Sequence, residues 1–186
     1  MAMTPVTNWI STYESKQKDY MEQSMNNPAA DPAEWWRLWV NDAAQGIQAG
    51  PPYSLSMGTT DMGAFAPVKF PKAGTPVQCA IVLANAWKAW YMAIKWNPCP
   101  PIPPFSVIEK VEASPVGVPL AYATLLSGLI AEFAIVPPDP LLAFKLKATS
   151  FGSLFYTATL SAGIQITGKS TSSPPVPLVI PMLPIL

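Results

Sequence analysis

Hydrophobic positions recur with two different periods along this chain, and prolines separate the segments that carry them. Over residues 7–25, Trp9, Ile10, Tyr13, Tyr20, Met21 and Met25 fall near a helical spacing, with Glu14, Lys16, Lys18, Asp19 and Glu22 on other sides. That pattern predicts an amphipathic helix capped by Thr7 or Asn8 and ended by Asn26-Asn27-Pro28. Asp31-Pro32-Ala33-Glu34 then joins a capping box to a proline at the first helical position, which predicts a helix over residues 31–45. Its stripe is Trp36, Val40, Ala43 and Ile47, with Trp35 and Trp39 beside it.

Residues 51–74 hold Pro51, Pro52, Pro67, Pro71, Gly58 and Gly63 and show no period, so they read as a long extended connector. Thr75-Pro76 opens a third helix to about residue 96. Val77, Ile81, Leu83, Trp87, Trp90, Tyr91 and Ile94 leave that helix apolar nearly all round, the mark of a helix buried on every side. Residues 97–104 form a proline cluster that must run extended. In residues 106–113 Ser106 and Glu109 stand at capping-box spacing, but the segment is too short to assign. Residues 120–136 are the most apolar stretch, with Glu132 the one charge, and Pro137-Pro138 stops it. Asp139-Pro140 is another helix start, leading into residues 141–147.

Residues 151–167 carry both periods. Tyr156, Ala158, Leu160, Ala162, Ile164 and Ile166 alternate with Thr157, Thr159, Ser161, Gly163, Gln165 and Thr167 as in a strand, whereas Phe151, Phe155, Ala158, Ala162 and Ile166 make a helical stripe. Length favours the helix, because strands usually run to about five or six residues. After Gly168 the chain becomes a Ser/Thr linker, then a proline-rich tail without charge. The expected fold is mainly α: N-terminal helices (1–50), an extended connector (51–74), a hydrophobic helical core (75–168) and an extended C-terminal arm (169–186). The alternative is α+β, with strands within 144–168.

Composition narrows the function classes. The chain has 186 residues, 11 basic and 11 acidic, so no net charge draws it to nucleic acid or an anionic lipid surface. Charged residues are only 12% and mean hydropathy is +0.25, more apolar surface than a solvated monomer hides on its own. Residues 1–8 lack the basic and apolar regions of a secretory signal, so the expectation is a protein made in the cytoplasm.

Candidate chemistry is sparse. There is no histidine, and Arg37 is the one arginine, so the usual proton-transfer and anion-binding groups are missing. No glycine-rich phosphate loop, metal-ligand spacing or nucleophile–base pair stands out, and neither an enzyme nor a cofactor or metal protein is expected. Cys79 and Cys99 are expected as free thiols, because one unbroken helix would separate them by about 27 Å. Glu132 reads as a helix-terminal carboxylate paired with a lysine of a neighbouring element, such as Lys88 or Lys95.

These readings point to a structural subunit of a large assembly that works through packing against copies of itself and other subunits. On compositional analogy the particle is a bacteriophage virion, in its tail, baseplate or capsid, assembled in the host cytoplasm. The expected interface residues are Trp35, Trp36 and Trp39 on the second helix, and Val176, Leu178, Ile180, Leu183 and Leu186 on the C-terminal arm. Burying that arm in a neighbour's groove offers on the order of 10 kcal/mol before entropy. The alternative is a small integral membrane protein with two or three hydrophobic helices, since residues 113–131 and 148–168 are free of charge and near spanning length.

Overall fold

A computed structural model describes residues 55, 57–59, 74–97, 101, 103–113, 117–136, 138 and 140–184. The two helices expected within 1–50, with Trp35, Trp36 and Trp39, lie outside these residues, as do Cys99 and Leu186. The described part is an α+β mix of three helices and two small antiparallel sheets, so the expected helical core is present and is joined by strands, one of which begins within the 144–168 span of the α+β alternative.

In chain order the elements are β1 (Met57–Thr59), α1 (Pro76–Met92), β2 (Lys95–Trp96), β3 (Phe105–Ala113), α2 (Gly117–Ala134), α3 (Pro140–Ser161), β4 (Gly163–Ser170) and β5 (Pro177–Pro184). β1 pairs with β2, and β3, β4 and β5 form an antiparallel sheet in that order. Part of the expected connector is therefore a strand.

Helix α1 begins as its sequence dictates. Thr75 Oγ1 accepts from the Gln78 N–H, the Gln78 side chain accepts from the Thr75 N–H, and Pro76 stands where no internal donor is needed. The helix stops at Met92 instead of continuing to residue 96, because Lys95 and Trp96 turn out to pair with β1. Cys79, in the first turn, carries a free thiol whose pKa burial pushes up.

The aromatic residues of α1 anchor the core. Trp87 and Tyr91, one turn apart, stack with ring centroids 5.5 Å apart, and both are fully buried. Burial leaves each with one polar group to satisfy. Trp87 Nε1 donates to Thr159 Oγ1 at 3.1 Å, and the Tyr91 hydroxyl donates to the Gly163 carbonyl at 3.1 Å. These two bonds advance along both segments together, so α1 and α3 run in the same direction. Helix α2 runs against both: its Phe133 meets Phe151 at 5.1 Å, while Gly128, earlier in α2, faces Leu154, later in α3.

The doubly periodic segment is resolved by a change of element at Ala162. Residues 140–161 form one continuous helix, longer than the expected 141–147 piece, and β4 starts at Gly163. The alternation from Tyr156 to Ser161 is thus helical, and only its continuation is a strand. Thr159 tolerates the helix because its hydroxyl also donates to the Phe155 carbonyl four residues back, at 2.8 Å. Residues 105–113, with their capping-box spacing, form a strand: the Ser106 hydroxyl serves the carbonyls of Lys169 and Ser170 across the sheet.

β4 is the central strand. Ile164, Ile166, Gly168 and Ser170 are buried on the core side, whereas Lys169 is exposed on the other. The alternation expected of a strand therefore runs on past Gly168, and the linker begins only at Thr171. The C-terminal arm is likewise no free extension, since β5 is paired with β4 of its own chain. Gly168 lets β3 approach closely. A Cβ there would lie 2.8 Å from Phe105 Cδ1 and against the Val107 carbonyl oxygen.

Three measurements test this core. Thr159→Val keeps the shape and removes the acceptor of Trp87, so urea denaturation should show a loss of about 1–3 kcal/mol. Gly168→Ala should cost about 1–3 kcal/mol by overpacking, since its neighbours include backbone that cannot swing away. Burial raises the Tyr91 pKa above the ordinary 10.0. Its contribution to stability is present below about pH 10 and lost as pH rises, because the unfolded chain ionises first. Tyr91→Phe should show a shallower fall in stability with pH above about 10.

Candidate functional site

The helical layer offers the most unusual surface. Helix α2 is long and apolar enough to cross a membrane, yet only 28% of its residues are buried inside the protein. Val118, Ala121, Leu125 and Leu129 face the core at helical spacing. The exposed side is Leu120, Ala123, Thr124, Ser127, Ala131 and Ala134, a stripe without a single charge. It continues past the helix end into Ile135 and Val136, 57% and 87% exposed, and begins at Leu120, 68% exposed.

Polar groups flank that stripe on both neighbouring helices. On α1, Asn85 accepts a hydrogen bond from the Tyr122 hydroxyl at 3.0 Å, and Lys88 Nζ lies 5.6 Å from the centre of the Tyr122 ring, a cation–π contact. On α3, Thr149, Ser153 and Thr157 are exposed. Glu132 is half-buried. Lys88 is held at Tyr122, about 15 Å from Glu132 along the helix, and Lys95 belongs to β2.

A second feature is a groove of about 320 Å³ between residues 94–96 and 108–111. Ile94, Trp96, Ile108 and Val111 supply apolar walls, and Lys95, Glu109 and Lys110 stand at its rim. Glu109 is the unpaired residue of a bulge in β3, and its carboxylate bonds Lys169 at 3.1 Å. Among the described residues no group of three or more metal-ligating side chains occurs.

The structure divides the expected interface residues of the C-terminal arm. Val176 is exposed in the turn between β4 and β5. Leu178 and Ile180 lie opposite Gly168 and Ile166 and pack half-buried against the chain's own core, so part of the arm's apolar surface is satisfied internally. Leu183 stands opposite Ile164 in the ladder. The α2 stripe was missed because residues 120–136 read as simply apolar. The available signal was the run of small and hydroxyl residues at spacings of three and four. The groove had no signal in sequence, since two separated strands build it.

No family model, no curated protein and no solved structure matches this chain.

Proposed function

We propose that this protein is a structural subunit of a large assembly, acting by packing of subunit against subunit, with a bacteriophage virion as the particle that its composition suggests. The observation that carries this reading is the open, uncharged stripe of α2 bordered by polar side chains. An apolar strip with a polar rim is the anatomy of a protein interface, in which the strip loses water and the rim keeps it. Small side chains along the strip let a partner's backbone or bulky side chains come close.

The length and composition of α2 also favour a second reading, a bilayer-spanning helix. Its neighbours argue against that. Asn85 and Lys88 on one side and Thr149, Ser153 and Thr157 on the other would enter the hydrocarbon with it, at a cost a protein partner does not impose. The same core also joins the helices to a sheet with a charged outer face.

In detergent-free buffer the full chain should be oligomeric by light scattering. Leu120→Glu with Ala131→Glu puts charges on the exposed stripe and should lower the mass toward one chain without changing helical content by circular dichroism. A sharp monomer for the unaltered chain would defeat the subunit reading, and solubility only in detergent would favour the membrane.

A further inference from the structure

We propose that the exposed face of α2 is covered by the tryptophan-bearing segment 31–47 of a second copy of this chain. This rests on the subunit reading above and names the partner of that surface.

The exposed residues of α2 have a finer order than an apolar stripe. Leu120, Thr124, Ser127, Ala131 and Ala134 follow one another at intervals of four, three, four and three. That is the heptad spacing of a seam between two helices, and from Leu120 to Ala134 it runs about 21 Å at 1.5 Å per residue. The Ser127 hydroxyl donates to the Thr124 carbonyl at 2.9 Å, so the polar group in the middle of the seam is satisfied within its own helix and asks nothing of a partner.

The same spacing recurs in residues 31–47, outside the described part, where Trp36, Val40, Ala43 and Ile47 stand at intervals of four, three and four. As a helix that stripe spans about 17 Å and fits within the seam. Side-chain size selects this segment over a second α2. A seam of threonine, serine and alanine set against its own copy takes little side-chain area out of water. Trp36, Val40 and Ile47 are large knobs for the holes that such small residues leave, and tryptophan brings much apolar area into an interface with few rotors.

The course of the chain selects a neighbour over the same molecule. Leu55, the first described residue, is buried, and β1 just after it pairs with β2 beyond the end of α1. That end of α1 stands beside the start of α2, since Lys88 lies over the Tyr122 ring. Segment 31–47 is thus tethered at the Leu120 end of the seam through residues 48–54. Pro51 and Pro52 in this link favour an extended, stiff backbone, which carries the segment away from its own body and toward the seam of the next copy. Exchange of one element between identical chains assembles them at little cost, because each copy supplies both halves of the contact.

Two measurements on the full chain test this. Trp36→Ser with Val40→Ser and Ile47→Ser removes the knobs and leaves α2 unaltered, and light scattering should show association weakened about tenfold or more, as with Leu120→Glu plus Ala131→Glu. For the second, Ala43→Cys and Ser127→Cys are placed in separate chains that also carry Cys79→Ser and Cys99→Ser, and the two chains are co-expressed and oxidised. Peptide mapping should find position 43 of one chain bonded to position 127 of the other. An oligomer unmoved by the serine substitutions yet broken by the glutamates would overturn the proposal and leave α2 as a subunit contact with a different partner. Bonds joining two copies of position 127, no bond between 43 and 127, or one formed only when both cysteines share a chain would overturn it equally. A monomeric unaltered chain defeats the subunit reading itself, and this proposal with it.

Discussion

Two buried polar atoms on α1 constrain the rest of the structure. Trp87 and Tyr91 bring a large apolar area into the core, but each brings one hydrogen-bonding group that must be answered there. The answers come from Thr159 in the last turns of α3 and from the carbonyl of Gly163, the first residue of β4. These partners flank Ala162, where helix changes to strand. The aromatic pair therefore ties α1 to the helix before that junction and to the strand after it, and it sets the sheet against the helical layer.

The position of α2 follows. With α1 and α3 running together and α2 running against both, α2 buries one side and leaves the other open. Its inward residues are larger on average, with Val118, Leu125 and Leu129 in the core, and its outward residues are mostly small. Such a helix is only half solvated by its own fold. Part of the low charge of the described residues acquires a location in this way, because this strip is uncharged exposed surface that a neighbour can cover.

The sheet manages its edges differently. On β5, prolines remove donors while keeping the strand extended, so the apolar C-terminal segment pairs inward without inviting a copy outward. On β3, two register shifts place extra residues at Ser106 and Glu109. Ser106 spends its hydroxyl on carbonyls of β4, and Glu109 spends its charge on Lys169. Both irregularities are satisfied inside the sheet.

Local chemistry determined the start of α1, the helical character of residues 117–134 and the helix start at Pro140, because capping side chains and fixed proline angles act within a few residues. The shortage of catalytic groups was equally legible, since no fold supplies a histidine that the chain lacks. Only tertiary structure decided where α3 ends. Residues 156–167 satisfy both periods, and the choice at Ala162 rests on bonds to Trp87 and Tyr91, about seventy residues away. It also decided the fate of the C-terminal arm. A proline-rich apolar segment reads as a free extension until a strand with a vacant edge, β4, is present to pair with it. The strip on α2 and the groove at β3 belong to the same class: each is defined by which neighbours cover a residue, and coverage is a property of the packed chain, not of its order.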